Sequence, residues 1–462
     1  MLIQSISGIR GTIGGAEGQG LTPVDVVRFA AGYGAWVREV TGVERPRVVV
    51  GRDARLSGPM VRDVLVGTLV AVGVDVVDLG LSTTPTVELA VPGEGAQGGI
   101  ILTASHNPRE WNALKLLDAQ GRFLSDAAGR RVLALAAGTL DFVGVEALGR
   151  VVEGGDWMAR HVEHALGLDL VDVAAVRSAG LKVAVDAVNS TGGIILPRLL
   201  EALGVEVVRV HCDPTGDFAH NPEPLPAHLT DLAGTVVEQG CHLGISVDPD
   251  VDRLCFVCED GTMFGEEYTL VAVADHVLAH TPGNTVSNLS STRALRWVTE
   301  RHGGRYTASA VGEVNVVEAM EATGAIIGGE GNGGVIYPTS HPGRDAVVGT
   351  ALFLTHYVRK GLTCSALRAT YPHFAMSKDK MDLPTHGVQE ALDALVAAHP
   401  DAEVNRVDGV KFDLPEGWVH LRRSNTEPIL RIYAEAASEA AARGLGDRFK
   451  GELQRILEVG LA

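Results

Sequence analysis

The sequence predicts an α/β protein: three similar mixed-sheet α/β domains, then a smaller α+β C-terminal domain. Three observations carry this expectation. Apolar strand-like runs alternate with helical stretches, that alternation comes round three times, and from about Lys378 it gives way to short strands and one long final helix. At 462 residues the chain is also too long for a single ordinary core.

The first unit opens with the buried-strand run Arg47-Val48-Val49-Val50, a polar loop over 51–59 and a helix over 60–72, with further strands at 74–79 and 100–102. Strand, helix and strand in this order make a right-handed parallel unit. The second begins at Lys182-Val183-Ala184-Val185-Asp186 and continues through a loop at 187–193, a helix to Leu203, and strands at 205–210 and 244–247. The third runs from about Glu259, with a helix at 269–279 and strands at 285–289 and 325–328 leading to Glu330. Short strands at 409–412, 417–421 and 430–433 precede a helix at 439–459, and a linker is expected near 371–380. The predicted divisions are 1–150, 151–256, 257–370 and 371–462.

The formal charge of −18 argues against nucleic acid or an anionic membrane as the main partner, and makes basic residues near any phosphate site purposeful. The N-terminus lacks the basic and apolar regions of a signal peptide, and the most apolar window, 64–74, is too short to span a bilayer. Five cysteines fit reduced thiols in a cytoplasm. Cys255 and Cys258 form a lone Cys-x-x-Cys with no second pair nearby, which argues against zinc.

The stretch from Gly98 to Pro108 runs an apolar strand into Thr103-Ala104-Ser105-His106-Asn107-Pro108. Pro108 keeps Asn107 extended, so the turn is expected to leave the Ser105 hydroxyl exposed at the end of a buried strand, where open α/β sheets bind ligands. A turn serine ordinarily hydrogen-bonds only its own backbone, and no Gly-x-Ser-x-Gly surrounds this one. Asp248, Asp250 and Asp252 alternate; on one strand face they would repel unless a hard cation such as Mg²⁺ neutralised them. An EF-hand is disfavoured because Arg253 occupies the glycine position and Pro249 sits inside the loop. Lys115 lies in an apolar run, and partial burial beside cations is expected to lower its pKa; the plain alternative is a snorkelling surface lysine. Gly329-Glu330-Gly331-Asn332-Gly333-Gly334 fits Gly-x-Gly-x-x-Gly but opens no clear helix, which argues against a dinucleotide site.

Thr103–Pro108, the aspartate loop, Gly329–Gly334 and Arg422-Arg423-Ser424-Asn425-Thr426-Glu427-Pro428 resemble, in order and across nearly the whole chain, the four signature loops of the α-D-phosphohexomutases. The resemblance implies four domains around a central cleft and a phosphosugar mutase that works through phospho-Ser105 and a bisphosphorylated sugar. It implies Lys115 as general acid/base, with Arg10 facing the phosphoserine. His106 either contacts the phosphoserine or braces the loop. One Mg²⁺ per chain would be held by Ser105, Asp248, Asp250 and Asp252. Glu330, Asn332 and Arg253 would bind the sugar; Arg422, Ser424, Asn425, Thr426 and Arg431 would hold the phosphate that is not transferred. Arg344 and Asp345 either brace the third domain or reach the cleft, and Arg423 is ambiguous. Many members have Gly-Glu-x-Ser-Gly-His at the sugar loop, from which Asn332 and Gly334 depart. The implied activator is a hexose 1,6-bisphosphate, and the chain would be a cytoplasmic monomer or homodimer. Glucosamine 6-phosphate is the favoured substrate, with phosphomannomutase or phosphoglucomutase activity next. A non-catalytic sugar-phosphate sensor or a Ca²⁺-binding module ranks below these.

Overall fold

Runs of β-branched residues become strands here, and the polar turns between them become the functional loops. The computed structural model describes residues 1–5, 8–382, 387–424 and 429–460. Its first sheet contains β1 (Leu2–Ser5), β2 (Gly8–Thr12), β3 (Arg47–Arg52), β4 (Asp75–Leu81), β5 (Gly98–Leu102), β6 (Trp111–Leu117) and β7 (Val151–Glu153). They lie in the order β1-β2-β6-β5-β3-β4-β7. The second sheet is built from β8 (Lys182–Asp186), β9 (Glu206–Val210), β10 (Leu243–Val247) and β11 (Leu254–Cys258). The third holds β12 (Asn284–Asn288), β13 (Tyr306–Ser309), β14 (Ala325–Glu330) and β15 (Gly334–Ile336).

Strand order exposes a triplication that residue-level comparison of the units does not. In each sheet two strands run parallel beside a third, and a hairpin then adds an antiparallel strand: β6-β5-β3-β4, β11-β10-β8-β9 and β15-β14-β12-β13. The serine, aspartate and sugar loops are the three equivalent hairpin turns, β5–β6, β10–β11 and β14–β15. The sheets are therefore mixed, although the sequence pattern showed only the parallel part. The antiparallel strand β6 escaped that pattern because it is buried at six of its seven positions, so no in–out alternation marks it.

Two predicted divisions disagree with the sheets. The one at 150/151 omits β7, which pairs with β4, and the one at 256/257 cuts β11. The stretch read as a linker is largely strand: β16 (Ala375–Asp382) pairs along its whole length with β20 (Ile429–Ala436). Its alternating Lys378, Asp379 and Lys380 suit a sheet edge, where charge discourages further pairing. Between these two lie β17 (Glu403–Asn405), β18 (Val410–Leu414) and β19 (Gly417–Arg423), completing an antiparallel sheet in the order β16-β20-β19-β18-β17.

The second and third sheets share one continuous apolar core. At its centre Phe353, from the helix Ala346–Lys360, stacks on Phe256 with ring centroids 3.7 Å apart and meets Phe264 edge-on at 5.2 Å. Asp345 ties this core to the first unit. Its Oδ1 accepts the Val347 and Val348 amides at the start of that helix. Its Oδ2 pairs with His161 at 2.9 Å and His341 at 3.0 Å, and His161 reaches Thr86 at 2.9 Å. Asp345 thus braces the third unit, one of the two roles the sequence left open. Among the described residues no helix is long and apolar enough to cross a membrane. Truncating the shared ring in Phe353→Ala should cost about 3–5 kcal/mol, read as a lowered urea midpoint.

Candidate active site

Strand β5 is wholly buried, and its last residues deliver Ser105 to the meeting point of the first two sheets. Ser105 has φ 49, a left-handed conformation that costs a non-glycine residue about 1–3 kcal/mol unless its surroundings enforce it. Arg55, itself 0% exposed, does the enforcing. Its guanidinium donates to the carbonyls of Pro108 (2.8 Å), Trp111 (3.0 Å), Asn107 (2.8 Å) and Ser105 itself. Asp53 anchors that arginine at 2.9 Å and accepts the Thr103 hydroxyl at 2.6 Å. The Ser105 hydroxyl is not exposed as the turn had suggested. The residue is 7% accessible because Oγ donates to Asp248 Oδ2 at 2.6 Å, which covers it.

Asp248, Asp250 and Asp252 are all 0% exposed, and each can offer an oxygen within 4.8 Å of the others. A tight turn, with Val251 at φ 65, brings them together in place of strand alternation. Asp248 Oδ1 closes the turn by accepting the Asp252 and Arg253 amides at 3.2 and 3.1 Å. The Ser190 and Thr191 hydroxyls grip the Pro249 carbonyl, and Thr84 donates to Asp250 Oδ2 at 2.6 Å. Burial and the carboxylates of Asp252 and Asp250 push Asp248 well above the usual carboxylate range. Burial also opposes the charge of Asp252, yet Arg344, Lys115 and Arg253 hold it below that range. The buried oxygens Asp250 Oδ1 and Asp252 Oδ1 have no hydrogen-bond partner among the described residues. Orphaned, hard oxygen donors beside a hydroxyl fit an Mg²⁺-type cation.

Lys115, on β6, lies 2.6 Å from Asp250 and 3.4 Å from Asp252. Burial works to lower its pKa, but these anions outweigh it and the amine ends above its ordinary value. The lowering expected from cationic neighbours is thus reversed, since the groups it touches are carboxylates. Nor is Lys115 a snorkelling surface lysine: it is buried.

A cleft of about 690 Å³ opens beside this cluster, lined by Arg10, His106, Arg253, Glu330, Asn332, Arg422, Ser424 and Arg431. Those eight expected site residues, contributed by strands and loops of all four units, are thus brought together. Arg10 reaches Asn107 at 3.4 Å, and burial, followed by Arg253, lowers its pKa. His106 sits 3.4 Å from Ser105 Oγ; burial, followed by Arg253, pushes its pKa well below the usual histidine range. Glu330 Oε1 accepts from Asn288 (2.7 Å) and the Gly312 amide (3.0 Å), while Oε2 accepts from Arg344 (2.8 Å). Asn332 Oδ1 closes its own loop through the Gly334 amide at 3.2 Å. Arg422 Nε is buried without a partner among the described residues, and Arg431 donates to Tyr433 at 3.0 Å. Arg423 is exposed. Asn425 and Thr426 lie outside the described residues.

The sequence left Arg344 two roles, bracing its own unit or reaching inward. Arg344 reaches the cluster, joining Asp252 (2.7 Å), Glu330 (2.8 Å) and Glu313 (2.9 Å). Thr84, Arg55, Asn288, Glu313, Glu267 and Lys378, none of them legible in the motifs, lie at the cluster or line the cleft. For Arg55 a signal existed, since paired charges directly after a buried parallel strand mark a functional loop end.

With this geometry in view, comparison with known proteins gives a consistent result. Models of phosphoglucomutase/phosphomannomutase α/β/α domains I, II and III match residues 2–139, 159–261 and 265–374, and the model of the C-terminal domain matches 385–451. The chain is 33% identical over 98% of its length, and 98% of the relative's, to a probable phosphoglucosamine mutase of Methanopyrus kandleri. It is 35% identical over 94% of its length, and 95% of the relative's, to a phosphoglucomutase/phosphomannomutase of Thermococcus kodakarensis. The crystal structure of a phosphoglucomutase/phosphomannomutase family protein from Burkholderia thailandensis superposes with a TM-score of 0.85 at 29% identity, covering 99% of this chain and 98% of the other. The fold and site define an isomerase of the phosphohexomutase type. The chain belongs to the phosphoglucomutase/phosphomannomutase family, the α-D-phosphohexomutases.

The raised pKa of Asp248 has a measurable consequence. Below that pKa the carboxyl carries a proton that a divalent cation must displace, so Mg²⁺ affinity should fall as pH is lowered. Titration calorimetry in buffers of different ionisation enthalpy should show proton release on Mg²⁺ binding, shrinking as pH rises past that pKa.

Proposed function

We propose that this phosphohexomutase interconverts hexosamine 6-phosphate and hexosamine 1-phosphate through phospho-Ser105, with glucosamine phosphate as its substrate. The observation that carries the reading is the Ser105 hydroxyl 2.6 Å from a buried aspartate whose two companions keep unpartnered oxygens. Asp248, Asp250 and Asp252 would hold Mg²⁺, together with an oxygen at Ser105. Bound there, the ion would neutralise charge on the transferring phosphoryl group.

The phosphoryl group leaves Ser105 Oγ for a sugar hydroxyl oxygen: one P–O bond breaks and one forms. The sugar hydroxyl loses its proton and Ser105 Oγ gains one; Lys115, charged against Asp250, would give its proton to Oγ as the P–O bond breaks and, left neutral, take up the one from the sugar hydroxyl. The bisphosphorylated sugar then turns end for end, and its other phosphate returns to the serine. Arg55 keeps the nucleophile in place throughout, since phosphoryl transfer depends on alignment and charge neutralisation more than on covalent chemistry. Arg422, Ser424 and Arg431, with Asn425 and Thr426, would grip whichever phosphate is not reacting. An arginine with an unsatisfied buried Nε suits that task. Arg253 and Asn332 line the sugar's path, and Glu330 is preset by Arg344.

The Gly-Glu-Gly-Asn-Gly-Gly loop and the Methanopyrus relative support the amino sugar. The Thermococcus relative supports phosphomannomutase/phosphoglucomutase activity as the second reading. Coupled assays on glucosamine, glucose and mannose 6-phosphates should give the highest kcat/KM with glucosamine 6-phosphate, and an inert amino sugar would reverse that order. Ser105→Ala should fold, keep its thermal midpoint within a few degrees and lose turnover; an active variant would rule the phosphoserine out.

A further inference from the structure

Glu330, the obvious carboxylate of the sugar loop, is already committed: one oxygen takes two donors and the other takes Arg344. A second carboxylate borders the same loop. Glu267, near the start of the helix Glu266–His280, lines the cleft and packs so closely on Gly331 that a Cβ at that position would collide with its carboxyl group. Any larger residue at 331 would push Glu267 away from the loop, so the glycine fits the acid. Glu267 Oε2 accepts the Thr292 amide at 2.9 Å. Among the described residues the cation nearest its Oε1 is Lys378, at 3.9 Å, which lies nearer to Glu266 at 3.3 Å.

We infer that Glu267 is a specificity-determining residue, presenting its free carboxylate oxygen to the 2-ammonium group of an amino sugar phosphate. This deepens the reading above and rests on it. A neutral hexose offers a hydroxyl at the same carbon, which cannot supply the missing positive charge. Burial, only partly offset by Lys378, raises the acid to about 8, as expected of a carboxyl short of a cation. An ammonium group beside it would favour the ionised form and complete a charge-assisted hydrogen bond. Lys378 comes from the fourth sheet, so both walls of this subsite meet only where that sheet closes on the third.

Titration calorimetry with glucosamine 6-phosphate and glucose 6-phosphate on the full chain, wild type and Glu267→Gln, tests the inference. The glutamine keeps the shape and can still accept the Thr292 amide. The ratio of the two affinities should favour the amino sugar in the wild type and fall by about tenfold or more in the variant, as when one partner of a buried charge pair is removed. If both sugars bind and the ratio does not change, the role of Glu267 is overturned while the mutase reading stands. If neither sugar phosphate binds the wild type, both fall together.

Discussion

Three carboxylates with no access to water, packed around one serine hydroxyl, set the terms for the rest of this molecule. Burying an unpaired carboxylate costs several kcal/mol, so a trio at such short range needs nearby positive charge to persist. Lys115 and Arg344 supply part of it from two different sheets, and the remaining oxygens point to a divalent cation. The same compensation decides how the units meet: the first unit contributes Lys115 and Thr84, the second the acids, and the third Arg344. Electrostatic need and assembly are one constraint here.

A second constraint is conformational. Ser105 occupies a backbone region that serine avoids, and Arg55 holds it there with donors aimed at successive carbonyls of the loop. The Ser105 backbone is therefore fixed before any sugar arrives, which suits the phosphoryl transfer proposed for it, a reaction whose barrier is lowered by alignment and charge neutralisation. The strain is repaid by a buried Arg55–Asp53 pair whose cost only a functional loop would justify.

Much of this was written in the chain itself. Strands such as β3, β8 and β10 follow from runs of β-branched and small apolar residues, which allow few alternatives to a buried strand. The serine, aspartate, sugar and arginine loops were legible because hydroxyls, acids, glycines and basic residues gather in short segments that a core would not tolerate. Their order was enough to indicate the family.

Distance and charge balance between remote residues were not legible. The antiparallel strand β6 hid in a featureless apolar run, β16 looked like a linker because its alternating charges suit an edge, and the neighbours of Arg344 in sequence could not choose between its two roles. Lys115 shows the reason most plainly. Its neighbours in sequence are leucines and an asparagine, so local reading could assign it only a generic burial, whereas the fold sets it against two aspartates more than a hundred residues away and reverses the direction of its pKa. Sequence alone determined the parallel core strands and which loops carry chemistry, because those depend on short-range side-chain preference. Only the tertiary structure decided which charges face one another, because Coulomb energy depends on spatial separation, and that is set by how the four sheets pack.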